Sequence, residues 1–206
     1  MSARTELSIR PLGPEGLDEF LRFFDGDALA DNAWWAGCYC NFYESLTHPA
    51  DNPDPATSAF VAFRDRNRSE KAARIRAGLA HGFLASRDGK VVGWLNAQRS
   101  DAYANPRQFE PAFAEIPEGT GHLMCFVVAP GVRRQGVASA LLQAAVDSFR
   151  GAGLRHAQGF ARRPVAAGKG EAFATSNYHG TTSMYLENGF ADVGSLGAYA
   201  VMRRSL

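Results

Sequence analysis

The chain contains no uninterrupted apolar run long enough to cross a bilayer, which removes a membrane-spanning reading. Its first residues, MSARTELSIRPLG, lack the apolar core of a secretory leader and pass directly into a strand-like segment. Cysteine is scarce. Three residues, an odd number in a chain of this length, do not suggest a disulfide framework, and a reducing cytosol suits them better. Charge of one sign is not in excess either: Lys+Arg 22 against Asp+Glu 21 leaves a formal net charge of +1. Nothing therefore marks a nucleic-acid or membrane-surface binder. Internal repeats and low-complexity tracts are also missing. What is present is 206 residues of 46% hydrophobic content, enough to bury the core of one domain.

Two nucleotide motifs are absent as well. The Walker pattern needs Gly-Lys followed by Ser or Thr, but Gly89-Lys90 precedes Val91 and Gly168-Lys169 precedes Gly170. The dinucleotide fingerprint needs three glycines after a strand, and the turn that follows the most strand-like segment here offers one, Gly136.

That segment anchors the chain. Leu123 to Val128 is an apolar, β-rich run closed by Ala129-Pro130-Gly131. Val137, Leu141, Leu142, Ala145, Val146 and Phe149 then repeat at helical spacing until Gly151 and Gly153. Between strand and helix, Gly136 lets a ligand approach the backbone, and the first helical amides have no intrahelical partner and favour an anion. Arg133 and Arg134 add positive charge. Strand, free amides, arginines and helix N-terminus together suggest a phosphate cradle, while a plain basic turn is the alternative.

The turn reads Arg133-x-x-Gly136-x-Ala138 directly after the strand, and this resembles the acyl-CoA signature Q/R-x-x-G-x-G/A of the GNAT superfamily of N-acyltransferases. Downstream, Met184-Tyr185-Leu186-Glu187-Asn188-Gly189-Phe190 is similar to that family's late helix and following strand. The resemblance covers roughly Leu7 to Arg204. It implies one α+β domain over 1–206 with the GNAT fold, a mixed, mostly antiparallel sheet flanked by helices around a parallel β-α-β unit.

The rest of the chain agrees. Leu7–Leu12 reads as a strand, 14–24 as a helix, and Ser58–Leu79 as a helix in two pieces, around 60–66 and 70–79. Strands at 82–86 and 90–98 form a hairpin joined at Asp88-Gly89. Loops are expected at 99–121 and 163–180. A strand over 154–162, a short helix at 182–188 and strands at 190–193 and 198–203 complete the order. The segment 26–57 is irregular and rich in aromatics, WWAGCYCNFY included, and is read as an elaboration.

The resemblance also assigns roles. The amides of Phe126, Val127 and Val128 face the acyl carbonyl and pantetheine arm of acetyl-CoA. The turn Arg133, Arg134, Gln135, Gly136, Val137 and Ala138 holds its pyrophosphate. Tyr185 matches the tyrosine that protonates the leaving thiolate, with a core aromatic as its plainer reading. His122 occupies a position, by its offset along the central strand, where the histone-acetylating branch carries a glutamate base; the alternative is a solvent-exposed strand-end histidine. Asn177 departs from the register of the family's helix-opening asparagine, which puts a cofactor contact in doubt. Cys38-x-Cys40 has the wrong spacing for a metal site and no second pair, so no metal is expected, and buried thiols among Trp34, Trp35, Tyr39, Phe42 and Tyr43 are the reading. Those aromatics either wall an acceptor pocket or close the sheet edge. The implied activity is cytoplasmic, direct transfer of an acetyl group to a small-molecule or peptide amine, with no nucleic-acid or membrane partner and a homodimer left open. A catalytically silent acyl-CoA sensor is the competing reading.

Overall fold

Segments of two-residue and of helical periodicity alternate along the chain, and they assemble around one seven-stranded sheet. The structure is a computed structural model that describes residues 6–49, 51–105, 109, 116–163 and 177–206. Its strands are β1 (Leu7–Pro11), β2 (Gly82–Arg87), β3 (Lys90–Arg99), β4 (Thr120–Val128), β5 (His156–Arg162), β6 (Ala191–Leu196) and β7 (Tyr199–Ser205). The helices among the described residues are α1 (Leu17–Asp25), α2 (Ser58–Arg76), α3 (Val137–Gly151) and α4 (Thr182–Glu187). The order across the sheet is β1-β2-β3-β4-β5-β7-β6, antiparallel except at β4–β5. The mixed sheet and its parallel β4-α3-β5 unit are the expected fold. The expected loops at 99–121 and 163–180 lie partly outside the described residues.

Local chemistry explains the connections. Asp88 and Gly89 both adopt positive φ, 52° and 72°, the pair of left-handed residues that a tight β2–β3 hairpin requires. Helix α3 packs its apolar stripe, Leu141, Leu142, Ala145 and Val146 among it, on Ala85, Leu95 and Leu123. The opposite face of the sheet, at Leu84, Trp94 and Val127, is covered by Phe20, Phe24, Ala72 and Ile75 of α1 and α2. No helix among the described residues is long and apolar enough to cross a membrane.

Helix α2 corrects one expectation, because it runs unbroken from Ser58 to Arg76. The polar stretch around Arg66–Ser69 looked like an interruption. In the structure Asn67 and Lys71 continue the buried face begun by Phe60 and Phe63. Asn67 donates to the Gly37 carbonyl at 2.9 Å, and Lys71 pairs with buried Glu44 at 2.7 Å. Glu44 also accepts from Arg74 and Asn96, so α2 and β3 together pin the 38–45 segment. Buried charge is tolerable there because it is paired and hydrogen-bonded.

Strand β4 carries the irregularity that matters for function. Asn96 faces Cys125 and Ala97 faces Leu123, which leaves Met124 as an extra residue, a β-bulge. The bulge turns Leu123 and Phe126 to the α3 side and Cys125 and Val127 to the α1 side. Pairing with β5 also stops there, at Leu123↔Gly159, although both strands continue. Beyond that point β4 and β5 splay apart.

Candidate active site

Amides along a strand point alternately to its two sides, so the splay exposes only half of those on β4. The Ala129 amide donates to the Val92 carbonyl of the β3 side at 2.9 Å. Val127 therefore also points its amide toward β3, while those of Phe126 and Val128 point into the splay. This corrects the expectation of three successive amides facing a ligand: Val127 contributes its side chain instead. The Phe126 amide is engaged by the Tyr178 carbonyl at 2.6 Å.

A groove of about 340 Å³ runs from the splay to the start of α3, lined by Phe126, Val128, Arg134, Gly136, Ala138 and Ser139 among others. Gly136, at φ 82°, is the N-cap of α3 and offers no side-chain hydrogen bond to the helix. A Cβ placed on it meets nothing within 4 Å, so the space above it is open. Arg134 is also left-handed, at φ 63°. Among the described residues, the amides of Arg134, Gln135 and Gly136 donate to no backbone carbonyl, and those of Val137 and Ala138 open the helix. Successive outward amides at a helix N-terminus form an anion-binding concavity. The two arginines differ. Arg133 is held by Asp31 at 2.5 and 3.0 Å and by the Val128 carbonyl at 3.0 Å, and its hydrogen bonds keep the Asp31 carboxyl below the usual range. Gln135 accepts from Arg87 at 2.6 Å, tying the turn to β2.

A second cavity, about 450 Å³, lies on the α1 side of β4. Trp34, Trp35, Phe42 and Tyr43 line it, together with Cys38, Cys40 and Cys125. The aromatic segment therefore forms a pocket wall, and through Tyr43 and Phe42 it also joins a smaller hydrophobic cluster with Tyr103, Phe109 and Phe160. The two cavities share Leu29, Val127 and Tyr178. They meet where the bulged strand changes sides. Among the described residues no cluster of three or more His, Cys, Asp or Glu side chains is placed to hold a metal ion.

Tyr185 is fully buried and lines neither cavity. Its hydroxyl donates to the His179 carbonyl at 3.0 Å, and burial raises its pKa. It stands against β5 where pairing ends, since a Cβ on Gly159 would lie 2.0 Å from its oxygen. His122 is fully buried, with Nε2 3.3 Å from the Gln158 amide nitrogen and the ring against Tyr103 and Phe160. It is not the exposed strand end of the plainer expectation. Burial, helped by the charge of Arg203, lowers its pKa to about 3. An imidazole in that state is a weak proton acceptor at neutral pH, which weighs against a base at this position.

Sequence reading missed Tyr178, Ser139 and Ser183, which line the groove. Asn177 lines it too, and Thr181 takes the capping position of α4, accepting from the Met184 amide at 3.2 Å. A helix-opening Thr is a legible signal, whereas the place of Tyr178 depends on a splay that sequence does not reveal.

Comparison with known proteins agrees with this geometry. A search of curated proteins found no match. Solved structures share the fold at low identity. The PaiA N-acetyltransferase of Thermoplasma acidophilum, solved with coenzyme A, is similar at a TM-score of 0.53 and 15% identity, covering 98% of this chain and 99% of that one. A GNAT-family acetyltransferase of Listeria monocytogenes 4b F2365 gives 0.56 and 12%, with 100% and 99% covered. YncA of Salmonella typhimurium, a putative acetyltransferase solved with acetyl-CoA, gives 0.50 and 15%, with 97% and 94% covered. Residues 39–164, more than half of the chain, match the Acetyltransferase (GNAT) family, and the protein belongs to that family.

Proposed function

We propose that the protein transfers an acetyl group from acetyl-CoA to an amine within a ternary complex. The carrying observation is the meeting of two cavities across β4, one ending in the free amides at the start of α3. Those amides, from Arg134 to Ala138, fit a pyrophosphate, and the open space over Gly136 leaves room for it. The Val128 amide, pointing into the splay, suits a pantetheine amide or acyl carbonyl. Two related folds solved with coenzyme A or acetyl-CoA support the choice of donor.

When bound, acetyl-CoA supplies an activated acyl carbon, so that a C–N bond forms as its C–S bond breaks. The chain's own residues must position the amine, dispose of its proton and protonate sulfur. The second cavity receives the amine, and water in it takes the proton. Tyr185 is the proposed acid. Its raised pKa keeps it protonated, and the end of β4–β5 pairing sets it at the apex of the splay. To serve, its hydroxyl must exchange the His179 carbonyl for sulfur. The free thiols, with Cys38 and Cys40 buried, suit a reducing cytoplasm.

The bond from Tyr185 to His179 also favours a second reading, a silent acyl-CoA sensor. Thiol release from acetyl-CoA, followed with and without a panel of amines, separates the two. Amine-dependent release supports the transferase; binding of coenzyme A without release across the panel refutes it.

A further inference from the structure

Resting on that reading, we propose that the acceptor is a monoamine with a compact, ring-bearing apolar body, held in the second cavity. Its volume, about 450 Å³, lies within the range of small-ligand sites. Trp34, Trp35, Phe42 and Tyr43 supply aromatic surface, and the Trp35 ring lies 5.1 Å from that of Tyr178 at the junction with the groove. Such faces hold both a ring and a cation.

The charged lining is sparse. Among the described residues, Asp51 is the only Asp, Glu, Lys, Arg or His in the lining. The Asn52 amide is already spent on the Trp34 carbonyl at 2.7 Å. The thiols differ: burial pushes Cys38 up to about 11, and donation of a hydrogen bond to Cys40 together with burial pushes Cys125 well up, whereas Cys40 is lowered because the bond from Cys125 and the charge of Lys71 outweigh its burial.

This inventory discriminates among amines. A polyamine or aminoglycoside carries several positive charges, and one carboxylate cannot balance them. An amino acid or peptide C-terminus needs a cation for its carboxylate, and among the described residues the lining has none. A peptide N-terminus also brings several backbone groups that need hydrogen-bond partners, and the uncharged polar side chains of the described lining are few: Asn32, Tyr43, Asn52 and Tyr178. A single ammonium on an arylalkyl body leaves nothing unpaired. Its ring occupies the aromatic wall, its charge is drawn in by Asp51 and the ring faces, and its nitrogen reaches Val127 at the junction.

The test uses the full chain with coenzyme A or acetyl-CoA and four probes: 2-phenylethylamine, its neutral alcohol isostere, spermidine, and a short peptide with a free N-terminus. Binding is read by calorimetry in the presence of coenzyme A, and kcat/KM by thiol release. The expectation is that 2-phenylethylamine exceeds spermidine and the peptide by at least about tenfold in affinity. Asp51→Asn should weaken it roughly two- to fivefold and leave the alcohol unchanged. Trp35→Ala should weaken amine and alcohol by about tenfold, with rescue by Trp35→Phe and an unchanged coenzyme A affinity. Spermidine or peptide binding as well as phenylethylamine overturns the inference, as does an Asp51→Asn variant that binds the amine like wild type. If coenzyme A itself does not bind, it is the cofactor assignment that fails, and the calorimetry shows this before any amine is added.

Discussion

Gly136 allows the cofactor placement to be tested without confusing binding with folding. Its φ of 82° is left-handed, and a Cβ there meets no protein atom within 4 Å. In Gly136→Ala the protein itself thus suffers only backbone strain, about 1–2 kcal/mol. For a chain of this size that lowers Tm by roughly 2–4 °C per kcal/mol. Gly153, just past the end of α3, provides the control: its φ is 75° and its added Cβ also meets nothing. Gly153→Ala should lose similar stability at the wrong end of the helix. Affinity should separate the pair. A methyl group over the concavity keeps phosphate oxygens from one or two amides, each such charged hydrogen bond contributing about 1.5–3 kcal/mol. The Kd for coenzyme A should rise by at least about tenfold in Gly136→Ala and stay constant in Gly153→Ala. Calorimetry beside thermal melts reads both quantities. Equal affinities for coenzyme A in the two variants would refute the placement, whatever their Tm values.

Three further outcomes are expected. Tyr185→Phe should lower kcat by one to two decades, about 1.4–2.7 kcal/mol of transition-state stabilisation, with the affinity for coenzyme A unchanged; wild-type turnover would leave the residue a packing role. Lys71→Met leaves the buried carboxylate of Glu44 short of its closest partner and should cost about 3–5 kcal/mol in a denaturant melt, with partial recovery on adding Glu44→Gln. His122 and His179 both have pKa values lowered by burial to about 3. Between that value and the unfolded value of about 6.5 the unfolded chain binds more protons. Stability should therefore rise with pH across this window, by up to about 1.4 kcal/mol per pH unit for each histidine, and level off above it. Melts from pH 4 to 8, assay conditions chosen to span roughly that window, should show the slope reduced in His122→Asn; an unchanged slope would mean that the imidazole titrates normally.

How much the sequence disclosed depended on whether a backbone requirement left a residue type behind. The α3 turn needs left-handed backbone and open space, and Gly136 records both in one letter. The hairpin at Asp88-Gly89 was legible for the same reason. Helix α2 was misread because burial was equated with apolar character, while Asn67 and Lys71 lie on its buried face through partners far along the chain. The six apolar residues of β4 conceal their bulge, since Met124 is as apolar as its neighbours. That bulge decides which residues face which cavity, so assignments along β4 were less secure than assignments in the turn. The alternation that turns the Val127 amide away could have been read at the outset, because it follows from strand geometry alone.

The carbonyls of Tyr178 and His179 are consecutive along the chain, and they occupy the Phe126 amide and the Tyr185 hydroxyl in turn. On the proposed assignment both donors belong to the acyl side, whereas the Tyr178 ring also walls the cavity proposed for the amine. A thioester that claims either donor must displace one of these carbonyls, and with it the ring that shapes the neighbouring cavity. The affinities of the two ligands are then linked, and linkage is reciprocal: whatever factor the thioester applies to the amine, the amine applies to the thioester. The kinetic signature of such a shared segment is a preferred order of addition, visible in initial-rate patterns without any change of sequence.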